Sequence, residues 1–362
     1  MPVLPDSLPL ERRLDPRAGQ RDANCLEIGL VNNMPGKAFE ATERQFRSLL
    51  AEAAEGIVVH LSQFALPGVP RSDQGRCRIS GSYSSLSDLW DNHLDGIIVT
   101  GTEPQASDLR DEPYWESLTR LLEWADHNTA SVVCSCLAAH AGVLHLDGIV
   151  RRPLRDKLSG VFESARVSEH LLTAGLPARF WTPHSRWNDI PEQALAAGGY
   201  QILTRSREAG VDAFVKQRKS LFVFFQGHPE YETDSLWLEY RRDIRRFLNE
   251  ERVSYPSMPH GCFDEVDAAA LTAFRERALL DCKEESLEQF PVARLAANAK
   301  NAWRPAAVSL YRNWLLYLCA QKDQRLKHRR GQAQYQPAGA ATLRPLLETD
   351  SRAREQTGDQ LR

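Results

Sequence analysis

A cysteine placed directly after an apolar strand and directly before a helix can act as a nucleophile, and Cys136 has that setting. The helix N-terminus stabilises a thiolate, and a sharp turn exposes the sulfur. The same turn aims backbone N–H groups at the oxygen of an incoming acyl group. Taken alone, Cys136 reads equally well as a packing residue, and Cys134, still inside the apolar run, reads as one. A second segment tips the balance. His228-Pro-Glu230 follows the run Leu221-Phe-Val-Phe-Phe225. A thiol nucleophile needs a base within hydrogen-bond reach, and the base needs an orienting group. Glu230, across a proline from His228, can hold the imidazole in one tautomer. Nucleophilic chemistry at an acyl carbon is the expectation.

These side chains must be positioned by strands and helices in alternation. Leu26-Glu-Ile-Gly-Leu-Val31, Ile57-Val-Val-His-Leu61, Leu94 to Thr100 and Thr129 to Cys134 read as strands. Helical spacing runs through Ala41, Phe46, Leu49 and Leu50, through Tyr114 to His127, and through Leu137 to Leu146. The alternation predicts an α/β fold with a mostly parallel, doubly wound sheet. Sites in such sheets lie at the carboxyl ends of the strands. That rule puts Asn32-Asn33-Met34, Gly101-Thr-Glu-Pro104, Cys136 and His228 on one rim. Pro67 to Ser87 reads as a long loop. Beyond Tyr240 the pattern weakens into C-terminal helical additions. Asp264 to Leu287 looks helical and acidic, and Val308 to Ala320 is an apolar helix that must dock on the body.

The 362 residues, 42% hydrophobic and 26% charged, describe a globular chain able to bury a large core. At about 150 residues per domain, length alone favours two domains. The motifs favour one catalytic domain at 25–322, with an enlarged connection at 251–300. A leader, 1–24, and a polar, mobile tail, 323–362, flank it. With 45 basic against 48 acidic residues, nucleic acid is not an expected partner. No run is long enough to span a bilayer and no secretory signal is apparent, so a cytoplasmic location is expected. Seven scattered cysteines do not form a paired framework, and Cys134-Ser-Cys136 is too tight for zinc, so no metal is expected.

Cys136 and His228-Pro-Glu230 on this architecture resemble the class I glutamine amidotransferase fold, which is flavodoxin-like. More specifically, the chain resembles the homoserine O-succinyltransferase family. The matching segments are Asn33-Met34-Pro35 with Glu40-Ala-Thr-Glu-Arg-Gln45, Asp95 to Gly101, Tyr114-Trp115 with Trp124-Ala125, and Cys136 through Gly148-Ile149. They continue with Lys157-Leu-Ser-Gly-Val-Phe-Glu163, Pro183-His-Ser-Arg186, Gly227-His-Pro-Glu-Tyr231, Asn301-Ala-Trp303 and Asn313-Trp-Leu315. The resemblance implies that Cys136 takes an acyl group from acyl-CoA as a thioester. It implies that His228 serves as general base, with Glu230 orienting it, and that L-homoserine receives the acyl group in methionine biosynthesis. It makes Lys157 an active-site lysine that stabilises negative charge. Ser185 and Arg242 become contacts to the amino acid, and a homodimer is implied. Acyl-CoA would be a co-substrate, with no bound cofactor.

Two departures stand out; the first is expected to alter packing and leave the chemistry intact, and the second bears on the donor. Leu137-Ala138 follows the nucleophile where the family has Trp-Gly or Trp-Ala, and its Gly-Ala-Pro segment reads Gly101-Thr-Glu103-Pro104. The resemblance ties an acidic residue just beyond to acetyl-CoA and Gly to succinyl-CoA, and Gln105 stands at that position here. Succinyl-CoA and acetyl-CoA both stay open. A neutral amide that donates hydrogen bonds without repelling a carboxylate favours succinyl. Serine as acceptor, a glutamine amidotransferase and a non-catalytic metabolite-binding protein are the alternatives. The second is weak because Ser135 and Leu137, not glycines, flank Cys136, and position 140 is His.

Overall fold

The computed structural model describes residues 3–5, 24–281 and 283–334. The strands are β1 (Val3–Pro5), β2 (Cys25–Val31), β3 (Val58–Phe64), β4 (Gly96–Val99), β5 (Ser131–Ser135), β6 (Arg152–Arg166) and β7 (Arg179–Asp189). They end with β8 (Gln201–Ile202), β9 (Thr204–Ser206), β10 (Gly210–Val211), β11 (Ala213–Gln217) and β12 (Leu221–Phe225). The helices are α1 (Gly36–Ala53), α2 (Asp73–Ser82), α3 (Leu86–Asp91), α4 (Trp115–Asn128) and α5 (Leu137–Asp147). They continue as α6 (Glu192–Ala197), α7 (Ser235–Leu248), α8 (Glu265–Asp281), α9 (Val292–Asn298) and α10 (Arg304–Gln334).

An eight-stranded sheet runs β1-β3-β2-β4-β5-β12-β11-β8. Every pairing from β1 to β12 is parallel, and β11 and β8 close the edge antiparallel. The central strands β4, β5 and β12 are buried at every position, as strands covered on both faces require. One face packs under α1 and α10 through Phe46, Leu49, Leu50, Tyr311, Trp314 and Leu318. The other packs under α4 and α5 through Leu118, Leu121, Leu122 and Val143. The sheet is therefore doubly wound and mostly parallel. A second, antiparallel sheet, β10-β9-β6-β7, is built mainly from the long β6–β7 hairpin.

Most segments follow the hydrophobic pattern, the helix expected at Asp264 to Leu287 among them as α8, but not all do. Pro67 to Ser87 is not one loop, because it holds α2 and the start of α3. Ser72 Oγ caps α2 at Gly75 N, and Ser85 with Asp88 forms a capping box on α3. Glycines at 75 and 81 and the lack of an apolar stripe hide α2 from periodicity. The connection at 251–300 contains α8 and α9, whose Leu271, Phe274, Ala278 and Leu295 form an apolar cluster with α7. In the leader, residues 3–5 form edge strand β1 against β3, while 6–23 lie outside the described residues. Contacts divide the chain into Met1–Asp323 and Gln324–Arg362. The expected tail, 323–362, is helical over 323–334, as the end of α10, and 335–362 lie outside the described residues. No helix among the described residues is long and apolar enough to cross a membrane.

α10 sits close on the sheet at Gly96. A Cβ there would come within 2.8 Å of Leu318 Cδ1 and 2.9 Å of Trp314 Cζ2. Trp314 cannot easily give way, since its indole N–H donates to Ser131 Oγ at 3.0 Å. Overpacking of this kind costs about 1–3 kcal/mol. Gly96→Ala is expected to lower the unfolding free energy by about that amount in urea denaturation; an unchanged midpoint would show that α10 is not seated so tightly.

Candidate active site

The chain turns sharply at the end of β5. Cys136 has φ 53° and ψ −112°, a positive φ that a side chain rarely adopts. Such a residue is strained by roughly 1–3 kcal/mol and persists only where its surroundings over-determine it. Here the Cys136 N–H donates to Phe225 O on β12 at 2.8 Å, and its carbonyl accepts from Ala139 N at 2.9 Å in the first turn of α5. The strain lifts Cys136 out of the strand's alternation, half-buried, while Cys134 stays in the core with its thiol pushed up by burial. No side chain caps α5. Gly101, at the end of β4, lies against the turn, where a Cβ would sit 2.9 Å from Leu137 N. Glycine there keeps that N–H uncovered, as an oxyanion donor must be.

β12 is the parallel neighbour of β5, with Phe225 paired to Ser135, so the residues beyond both strands emerge side by side. Gln226 anchors the β12 turn through Ile190 N and Val211 O, and the His228 N–H donates to Pro183 O at 2.8 Å. His228 Nδ1 lies 2.8 Å from Glu230 Oε1, which leaves Nε2 for the thiol. Glu230 is 3% exposed, and Oε1 also accepts from Ser135 Oγ at 3.4 Å. Burial alone would lower the proton affinity of His228. The charges of Cys136 and Glu230, with hydrogen bonds to both, outweigh burial and hold its pKa well above the ordinary 6.5. Behind this turn Asp212 accepts from Gly227 N at 3.2 Å and from Thr204 Oγ1 at 3.0 Å. Burial raises its carboxyl to about 6.

A second constellation adjoins the first. His228 stacks on Tyr231 with ring centroids 4.1 Å apart, and the Tyr231 hydroxyl donates to Glu239. Ser185 on β7 donates to the same carboxylate. Lys157 on β6 reaches Glu239 Oε2 at 3.1 Å and Asp243 Oδ2 at 2.8 Å. Lys157 therefore occupies a buried ion-pair cluster rather than a surface one. Arg242 pairs with Asp243 at 3.0 Å and flanks Glu239 at 4.0 Å. Burial would raise Glu239, but Lys157, Arg242 and its two hydroxyl donors bring it down to about 2. Burial would lower Arg242, but the carboxylates of Glu239 and Asp243 raise it.

The loop after β4 completes the rim. Glu103 makes a forked ion pair with Arg246 at 2.6 and 2.8 Å, and Gln105 is exposed, its N–H donating to Glu112 Oε1 at 2.6 Å. Structure thus brings Cys136, His228 and Glu230 together, and groups Lys157, Ser185 and Arg242 about Glu239 and Asp243. The sequence assigns no role to these two acids or to Asp212, and it marks Tyr231 only as part of the segment Gly227-His-Pro-Glu-Tyr231. A charged stripe at 239, 242, 243 and 246, one helical face, was the available signal. Asn32 and Asn33, also on the rim, tie strand ends together, with Asn33 bonded to Thr100 and Leu66. Cys25, Glu27 and His60 bring metal-type donor atoms within 4.8 Å of one another, but near the start of β2 and in β3, and His60 and Glu27 already form an ion pair.

Proton affinity at His228 gives a direct check. A raised histidine pKa stabilises the folded chain fully below about pH 6.5, and this contribution is lost as pH rises through the folded value. Glu230→Gln removes one of the two negative partners, so the ring-proton NMR titration of His228 is expected to shift to lower pH. An unmoved midpoint would mean that Glu230 does not govern the proton.

Comparison with known proteins comes last. The sequence model of the family described as homoserine O-succinyltransferase matches residues 13–325. Homoserine O-succinyltransferase of Rhodopseudomonas palustris is 47% identical, covering 83% of this chain and 90% of its own. That of Methylorubrum extorquens is 45% identical, covering 80% and 86%. A glutamine amidotransferase structure from Thermotoga maritima overlaps 81% of this chain and 98% of that one, at 12% identity and a TM-score of 0.43. Matched across most of its length by the family model and by relatives of this identity, the chain belongs to the homoserine O-succinyltransferase family.

Proposed function

We propose that the protein transfers a succinyl group from succinyl-CoA to the hydroxyl of L-homoserine, through a thioester on Cys136, as a step in methionine biosynthesis. The observation that carries this reading is the strained turn that sets Cys136 beside an imidazole whose other nitrogen is held by Glu230. The thiolate attacks the acyl-CoA carbonyl, and the charge on oxygen meets the Leu137 N–H that Gly101 leaves uncovered. As the carbon–sulfur bond to CoA breaks, His228 gives its proton to the departing thiolate. His228 then takes the homoserine hydroxyl proton, the oxygen attacks the thioester, and the Cys136 thiolate leaves. A thioester that forms with loss of CoA before homoserine reacts implies ping-pong kinetics.

The adjoining constellation suits an amino acid. Arg242 offers a guanidinium to the α-carboxylate, and Glu239 and Asp243 offer anionic acceptors to the ammonium group. Lys157 and Ser185 hold Glu239 in place within this site. Gln105, exposed on the loop beside Glu103, carries no charge to repel a succinyl carboxylate. We place the catalytic unit at 25–322 on the extent of these elements.

Succinyl-CoA with homoserine is expected to release CoA, and Cys136→Ala to lower kcat by at least about 1,000-fold, the scale seen when a covalent nucleophile is removed. Mass spectrometry of the enzyme with donor alone is expected to find succinyl on Cys136. Acylation of a different residue, or CoA release from neither succinyl-CoA nor acetyl-CoA, would defeat the reading.

A further inference from the structure

Many guanidiniums around the site face carboxylates of the protein, and Arg71, which does not, spends its donors on the backbone carbonyls of Asn32 and Leu66. Arg152 and Arg186 pair with Asp189, Arg242 with Asp243, Arg246 with Glu103 and Arg110 with Asp108. Arg151 differs. It is half-buried in the connection between α5 and β6, and among the described residues no carboxylate lies within ion-pair distance of it. Among the described residues its hydrogen bonding is one long contact, Nη2 to Ser107 O at 3.5 Å. Two acids whose charge it feels are engaged elsewhere. Glu112 Oε1 accepts from the backbone of Gln105 and Ala106 at 2.6 and 2.7 Å, and Asp108 is forked onto Arg110. A guanidinium has five donors, and leaving them half-buried without an acceptor is unfavourable unless a ligand supplies one.

Its position narrows the ligand. The loop that Arg151 touches at Ser107 begins at Gly101, against the N–H of Leu137, and carries Gln105. Arg151 is also near enough to feel the charge of Cys136. An anion held there stands beside the loop that borders the Cys136 turn.

We infer that Arg151 receives the terminal carboxylate of a dicarboxylic acyl group carried to Cys136, and so selects succinyl over uncharged donors. The inference rests on the acyl-transfer reading above and adds its donor-selecting residue. Neither the backbone amides of the loop, held by Glu112, nor Gln105 supplies a full positive charge, and Arg151 does.

The test compares succinyl-CoA with butyryl-CoA, which has the same carbon chain without the carboxylate, and with acetyl-CoA. Wild-type enzyme is expected to prefer succinyl over butyryl by about 100-fold in kcat/KM, the scale of one charged hydrogen-bonded pair. Arg151→Gln is expected to collapse that ratio towards unity, chiefly by loss of succinyl transfer, and Arg151→Lys to restore part of it. Equal losses with all donors in Arg151→Gln would overturn the inference, since Arg151 would then serve CoA or folding. An unchanged ratio would overturn it as well. A wild type that transfers acetyl but not succinyl would sink the inference while leaving acyl transfer by Cys136 standing; a wild type active with no donor would sink both.

Discussion

The pairing of β5 with β12 is the constraint on which the site depends. The two strands are parallel and in register, so both chains leave the sheet at the same edge, one residue past Ser135 and one past Phe225. The hydrogen bond from Cys136 N to Phe225 O extends that pairing one step beyond β5 and holds the strained turn. A one-residue slip would turn every side chain of a strand to the opposite face and separate thiol from imidazole. Because both strands are apolar and buried on both faces, the whole core enforces the register.

Charge is organised around this edge in two tiers. Glu230, buried and two residues from its histidine, sets imidazole orientation and proton affinity through a short local contact. The larger cluster gathers Lys157 from β6, Ser185 from β7 and Glu239, Arg242 and Asp243 from α7. Burying so many charges is unfavourable except where each finds an opposite partner, as each does here. Such a cluster holds the second sheet to α7 through polar contacts, and the apolar packing of α7 against α8 and α9 backs it from behind. Residues 251–300 thus contribute packing behind the helix that presents Glu239 and Asp243.

Much of this was legible in the chain itself. The βα alternation over the first 150 residues, the cysteine between strand and helix and the His-Pro-Glu after an apolar strand are local patterns. Local patterns survive in one dimension. Leu26 to Val31, Leu221 to Phe225 and α4 each announce themselves by periodicity or by an unbroken apolar run. α2 and the long β6–β7 hairpin did not, because α2 buries little and β6 alternates only in part.

Sequence by itself therefore determined the class of fold, the identity of the thiol, imidazole and carboxylate, and the rim on which they stand, since strand ends follow from strand order and hydrophobicity. Only the tertiary structure decided what each charge faces. Lys157 is separated by 82 residues from Glu239 and Glu103 by 143 from Arg246, and no spacing rule reaches that far. Which arginines are neutralised and which keep donors to spare depends on these long-range pairings. The reason is physical: backbone hydrogen bonding and hydrophobic periodicity are local, whereas charge pairing is settled by which surfaces the folded chain brings into contact.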